Sequence, residues 1–248
     1  MKVLSVIVAI IGLVLLSYTV FADPVGPGTV QVQSPADRRT TGIDATTGIG
    51  VQAQAGNVTA LNINSTRLTS RWQGYYGNVS GVITLDDATN NTLYNWQIAS
   101  PRGEIYAVNH TTTPTWANVE CFNFTDASQN VTLGGLESSI GAAQTDRDGV
   151  NETFNLTYSG SFSAGSKTIL AGDGCPIASL YVSDAWTGTK FNETILFENQ
   201  SAERVIYVAL LEQDQTGFSG SSLDFEMLVG ENGDSVQATS YYFFVELT

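Results

Sequence analysis

Histidine, cysteine and positive charge are scarce in this 248-residue chain: one histidine, two cysteines, and 10 Lys+Arg against 24 Asp+Glu. Each scarcity closes off a class of chemistry. His110, inside Asn109-His110-Thr111, is the only imidazole, and it sits in a turn-like sequence. A Ser-His-Asp or Cys-His hydrolase therefore lacks a well-placed base. One His and two Cys do not make a four-ligand zinc site, and the cysteines are better used on each other. A formal net charge of −14 repels phosphate backbones, which sets nucleic acid aside as a partner. No Gly-rich phosphate loop of the Walker type occurs. Charged residues make up only 14% of the chain, so Ser, Thr, Asn, Gln and Gly must supply most of the polar surface.

Apolar residues are present in strength. At 42% hydrophobic and 10% aromatic, the chain can build a real core and is far from a disordered composition. Its one long apolar run lies at the start. Lys2 is followed by an unbroken apolar stretch over residues 3–16, then by small and polar residues up to Val20-Phe21-Ala22. That is the pattern of a signal peptide cleaved before Asp23. An apolar run of about 14 residues is short for ~30 Å of hydrocarbon, though an uncleaved anchor stays open. The expected organisation is a signal peptide at 1–22, an N-terminal strand and flexible segment at 23–50, and one β domain at 51–248. Export places the protein outside the cell or on its surface.

Glycosylation acceptors point the same way. The pattern Asn-X-Ser/Thr occurs at Asn57, Asn64, Asn78, Asn90, Asn109, Asn123, Asn130, Asn151, Asn155, Asn192 and Asn199. That is eleven of sixteen asparagines, against roughly three expected by chance. Selection for N-glycans explains the excess and requires those residues to be exposed. In an exported chain the pair Cys121 and Cys175 reads as one disulfide.

Short alternating runs then recur with polar turns between them. Residues 29–33, 51–55 and 58–64 alternate apolar and polar, which predicts strands with one buried face. Residues 71–87 hold two extended runs broken at Gly77-Asn78 and ended by Asp86-Asp87, a β-meander pattern with Trp72 as its core anchor. Further extended runs lie at 92–98, 103–108, 152–158, 167–170, 177–182, 191–197, 204–211, 223–229 and 237–247. Val205 to Leu211 is continuously apolar and predicts a central strand buried on both faces. Residues 116–121 read as strand or helical turn, and 133–143 as the place for one short helix. The fold class is therefore all-β: an antiparallel β-sandwich with one short helix in the middle region.

The motifs Arg71-Trp72-Gln73-Gly74-Tyr75-Tyr76-Gly77-Asn78-Val79-Ser80-Gly81, Leu93-Tyr94-Asn95-Trp96 and Ser100-Pro101-Arg102-Gly103-Glu104-Ile105-Tyr106-Ala107 carry a resemblance. So do residues 116–121, Asp148 to Phe154, Cys175, Asp224-Phe225-Glu226-Met227-Leu228-Val229 and Tyr241 to Leu247. Together they resemble a family of exported, mostly uncharacterised archaeal cell-surface proteins. The resemblance spans nearly all of the chain after residue 22. It implies a surface β domain and brings no catalytic residues with it.

Three constellations stand beside that reading. Any two of Glu104, Glu120, Asp214, Asp224, Glu226 and Glu246 could form the carboxylate pair of a glycoside hydrolase, though solvated charge on strand ends is the simpler account. Asp146, Asp148 and Asn151 echo part of a calcium loop, with Gln144 and Asn155 in place of its usual end ligands. No other metal or cofactor is indicated. Trp72, Tyr75, Tyr76, Trp96, Trp116 and Trp186 could supply a sugar-stacking platform, with Tyr75 and Tyr76 the foremost candidates. The expected function is a non-enzymatic, glycosylated cell-surface structural protein, an envelope, coat or filament-type subunit. Its partners would be other surface proteins or copies of itself. An adhesin or carbohydrate-binding module is the alternative, and an extracellular hydrolase a more distant one. Strand addition to a neighbouring subunit would use residues 29–33 or the final strand.

Overall fold

A computed structural model describes residues 23–32, 50–63, 67–98, 100–126, 131–182, 185–186, 190–199, 204–232 and 238–247. The segment 1–22, Gln33, Asn64 and Asn130 lie outside the described residues. The first four strands are β1 (Trp72–Gly77), β2 (Gly81–Asp86), β3 (Thr92–Ile98) and β4 (Gly103–Val108). A 3-10 turn at Trp116–Asn118 leads into β5 (Val119–Cys121). Two short helices follow, α1 (Leu133–Ser139) and α2 (Val150–Thr153). Then come β6 (Leu156–Thr157), β7 (Phe162–Ala164), β8 (Lys167–Ile169), β9 (Pro176–Ser179), β10 (Tyr181–Val182) and β11 (Ala185–Trp186). The last strands are β12 (Asn192–Glu198), β13 (Arg204–Leu210), β14 (Gln215–Thr216), β15 (Ser222–Leu223), β16 (Phe225–Gly230) and β17 (Tyr242–Leu247).

The fold is all-β and antiparallel. Its main sheet has the order β17-β4-β13-β12-β9-β6, with β5 also paired to β12. The ladder of β12 is shared along one edge: Asn192 to Thr194 face β9, and Leu196 to Glu198 face β5. β13 lies in the middle, between β4 and β12, and its apolar run is buried on both sides as predicted. Side chains alternate across the pleat. One face sends Ile105, Ala107, Ile195, Phe197, Tyr207 and Ala209 toward α1, α2 and the β1–β16 ribbon. The other sends Tyr106, Val108, Leu196, Ile206, Val208 and Leu210 toward Trp116 and the β7–β8 hairpin. The main sheet is thus covered on both faces, with the second layer on one side contributed by a two-stranded ribbon.

The disulfide Cys121–Cys175 closes the shared edge, joining the end of β5 to the residue before β9 at a Cα separation of 4.7 Å. Linking residues 54 apart stabilises the fold by about 4 kcal/mol in the chain-entropy model.

Local structure departs from the sequence expectation at four places. β1 and β2 do not form a meander. β1 pairs with β16 and β2 with β3. The reason lies at the break: Asp224 accepts the Val79 N–H on its carboxylate at 2.7 Å and donates its own N–H to Gly77, drawing β1 onto β16. Residues 29–32 make no strand and have no buried face, with Val30 and Val32 62% and 80% exposed. The N-terminal bridge is made instead by Val25, which exchanges two backbone hydrogen bonds with Val245 of β17. Residues 51–63 likewise form no ladder, and Leu61 and Ile63 are exposed. Residues 150–153 form α2 rather than a strand, because the Glu137 carboxylate accepts the N–H groups of Val150 and Asn151 and caps that turn. The middle helix is where it was expected, α1, with Thr132 accepting the Gly135 N–H at its N-cap.

Candidate functional site

The six candidate carboxylates are mostly not solvated. Glu104, Asp224, Glu226 and Glu246 are buried, and so are Glu137, Glu193 and Glu198 outside that set. Buried charge requires partners, and here most are backbone N–H groups, with Arg204 3.3 Å from Glu198 as an ion pair. Asp224 takes those of Val79 and Asp214, Glu226 that of Phe218, Glu246 that of Gly165, Glu198 that of Thr115 and Glu193 that of Leu228. Most of these carboxylates staple a loop or turn, while Glu193 ties the middle of β16 to β12. Expecting strand-end acids to be solvated overlooked this role, which no spacing in the sequence announces.

Glu104 and Glu246 are the one pair that the sheet places directly opposite each other, on β4 and β17. Burial, and then the Glu246 charge, push the Glu104 carboxyl up to about 8. One of its oxygens is buried without a hydrogen-bond partner. Burial also raises Glu246, against the opposing pull of the Gly165 N–H and the Tyr106 hydroxyl. Tyr106 Oη lies 2.8 Å from the Ser163 carbonyl and 3.2 Å from Glu246 Oε2. The Tyr106 hydroxyl is thus shared between the Ser163 carbonyl and the Glu246 carboxyl. Burial favours the neutral form of both carboxyls. Two hollows of about 220 and 260 Å³ open on the surface, one beside Tyr207 and Tyr241 and the other beside His110. Neither glutamate lines either of these two hollows.

The two aspartates of the calcium candidate have a protein partner. Asp146 and Asp148 do come together, but on Arg71, whose guanidinium lies 2.8 Å from one carboxylate and 3.2 Å from the other. Arg71 also reaches the Gly141 carbonyl. Asp146 further accepts the Ala143 N–H and Asp148 the Thr69 hydroxyl. Asn151 is in α2 and its side chain joins none of these contacts. The cation held by this loop is an arginine, and among the described residues no group of three His, Cys, Asp or Glu side chains could hold a metal ion.

The aromatics divide into core and surface. Trp72 is half-buried, donates its indole N–H to the Asp148 carbonyl, and packs on Phe154 and Tyr207. Trp116 is buried against Tyr106 and Phe244. Tyr75 and Tyr76 do not form one platform, since adjacent strand residues point to opposite faces. Tyr75 packs edge-on against Phe243, while Tyr76 is exposed and touches Phe218. Trp186 stands opposite Tyr181 in the β10–β11 ladder. A second exposed aromatic pair, beside Tyr76 with Phe218, is Tyr94 with Trp96 on β3, their ring centroids 4.8 Å apart. Tyr94 was missed in the sequence, although the i, i+2 spacing from Trp96 would have placed both on one face.

Eight of the nine described acceptor asparagines, Asn57, Asn78, Asn90, Asn109, Asn123, Asn151, Asn155 and Asn199, are exposed. Asn192 is half-buried at the start of β12, where its side-chain oxygen accepts from Ser179. His110 is exposed and its ring nitrogen lies 3.2 Å from the Thr112 hydroxyl. Among the described residues no helix is long and apolar enough to cross a membrane. No family model, no curated protein and no solved structure matches this chain.

Proposed function

We propose that this chain is an exported, glycosylated structural protein of a cell surface, an envelope, coat or filament-type subunit without catalytic activity. It would be of the kind found among the exported archaeal surface proteins that its motifs resemble. The observation that carries the reading is the match between acceptor pattern and exposure: eight of nine described Asn-X-Ser/Thr asparagines face solvent. Turn composition alone would also leave asparagines exposed, but it does not account for eleven of sixteen asparagines carrying the acceptor pattern, and the exposure is what glycan attachment then requires. The disulfide supports the same address, because such bonds persist in oxidising compartments.

Intact-mass and glycopeptide analysis of the native protein tests this. The expected result is a chain beginning at Asp23 with glycans on several of the eight exposed asparagines and none on Asn192. An unmodified chain still carrying residues 1–22 would sink both the export and the glycoprotein reading. The exposed pair Tyr94 and Trp96 favours a second reading, a carbohydrate-binding or adhesive module. Tryptophan fluorescence titrated with a panel of oligosaccharides separates the two, since saturable quenching that is lost on Trp96→Ala belongs to the module alone.

A further inference from the structure

Three acids without a basic partner meet where the chain after residue 22 joins the main sheet. Val25 exchanges its two backbone hydrogen bonds with Val245 at 3.0 and 2.8 Å. Continuing that antiparallel register by one residue sets Pro24 across from Glu246, on the outer edge of β17. Pro24 is buried, and Gly165 lies so close that a Cβ there would meet its ring, Trp116 and Asp23 Oδ1. The turn between β7 and β8 ties two of the acids together. Gly165 donates its N–H to Glu246 Oε2 at 2.8 Å, and Ser166 donates its own to Asp23 Oδ1 at 3.3 Å. Across the ladder from Glu246 stands Glu104, 7% exposed, with a buried oxygen that has no hydrogen-bond partner. Tyr106, Tyr158 and Glu212 are the other titratable groups around the pair, and all are neutral or acidic. Lys167 is the one basic residue of the β7–β8 hairpin. Neither it nor any other lysine or arginine among the described residues forms an ion pair with Asp23, Glu104 or Glu246.

We propose that this cluster is a site for an ammonium group, filled by the α-amino group of Asp23 once the bond after Ala22 is cut. The inference rests on the export reading and adds what removal of the leader does to the fold. Hydrolysis of the Ala22–Asp23 bond takes up one water, leaving a carboxylate on Ala22 and an amine on Asp23. That amine is protonated at neutral pH. Before the cut the same nitrogen is an uncharged amide with one hydrogen; afterwards it is a cation with three. The dock of Pro24 and Val25 fixes its place, one peptide away from the residue facing Glu246. A metal ion is the poorer occupant, since no three acid, His or Cys side chains among the described residues could hold one. Asp23 is exposed while Glu104 and Glu246 are buried. The ammonium therefore stays partly hydrated, yet faces acids whose field water screens weakly. It favours the ionised form of Glu246, against the burial that opposes it. The same attraction raises the amine above its ordinary value of about 8. Its stabilisation is thus complete below about pH 8 and is lost as pH rises through the raised value.

Titration of the α-amine in the native processed protein tests the proposal, with mass analysis fixing the first residue. The rate of acetylation at that amine, followed against pH by peptide mapping, gives its pKa. The expected value is at least about one unit above the ordinary 8 or so. Acetylating the α-amine alone is expected to lower the thermal midpoint by roughly 2–4 °C at pH 6.5, and to leave it unchanged near pH 10.5. Glu246→Gln should remove most of the rise in the amine. Asp86→Asn, an equal change of charge at the exposed end of β2, should preserve it. Where Glu246→Gln fails to fold, the titration and the acetylation of the native chain decide by themselves. An amine that titrates at its ordinary value, a midpoint indifferent to acetylation, or a rise that survives Glu246→Gln overturns the inference. A chain beginning at Asp23 with an ordinary amine defeats this inference alone and leaves export standing. A chain still carrying residues 1–22 defeats both, so the two failures are told apart by the first residue.

Discussion

At Glu104 burial opposes ionisation, and this makes stability depend on pH. Its carboxyl has an ordinary value of 4.5 and is held at about 8 in the folded chain, by burial and by Glu246 across the ladder. Below about pH 4.5 both folded and unfolded chains keep this proton and no penalty exists. As pH rises toward 8 the unfolded chain releases the proton and the folded chain does not, so stability falls through that window and the loss is complete above it. Glu104→Gln removes the titration. In urea denaturation the variant is expected to exceed the native chain by roughly 2–4 kcal/mol near pH 9, and to lie within about 1 kcal/mol of it near pH 4. A native stability that is flat from pH 5 to about 9 would contradict the buried pair. One residue earlier, Gly103 has φ +127 and a Cβ there would collide with the Glu246 backbone carbonyl. Gly103→Ala therefore strains the backbone and clashes with the edge strand, an expected loss of about 2–4 kcal/mol by the same denaturation measurement.

Among the elements, legibility in the sequence followed how much of the structure was decided by side-chain pattern. The apolar run in β13 announced a strand buried on both faces because its neighbours lie on both sides. The disulfide was legible from an even pair of cysteines and the expectation of export, and the bond forms. The partner of β1 was not legible, since the choice of β16 over β2 depends on Asp224 accepting the Val79 N–H from 145 residues away. Residues 29–32 and 51–63 alternate as strands do, but alternation states which face would be buried and not whether a neighbour exists to bury it. Residues 150–153 turned helical because the Glu137 carboxylate caps them, a long-range contact with no local signal. In the candidate site the exposure of the described acceptor asparagines was legible, except at Asn192. The buried carboxylates were not, because an acid that staples a loop looks in sequence like one that faces water. The edge of β12 supplies an element-level test. β5 and β9 share that edge and are joined through Cys121–Cys175. Cys121→Ser with Cys175→Ser is expected to cost about 4 kcal/mol. Hydrogen exchange should accelerate first at Val119 to Cys121 and Pro176 to Ser179. Uniform acceleration across the sheet would mean that the bond does not act locally on this edge.

For the molecule as a whole, net charge sets the conditions. A chain of −14 destabilises itself by repulsion, and its copies repel one another. Salt screens both over a Debye length of about 10 Å at 0.1 M. Raising sodium chloride should therefore raise the thermal midpoint. Calcium distinguishes this diffuse effect from a bound ion. The one loop that resembled a calcium site already holds the Arg71 guanidinium between Asp146 and Asp148. A specific ion there would have to displace it. At matched ionic strength, calcium chloride and sodium chloride should accordingly give the same midpoint, read by differential scanning calorimetry. A saturable extra gain with calcium, abolished by Asp148→Asn, would show that the loop exchanges its arginine for a metal. In that case the acidic surface would be a set of sites rather than a field.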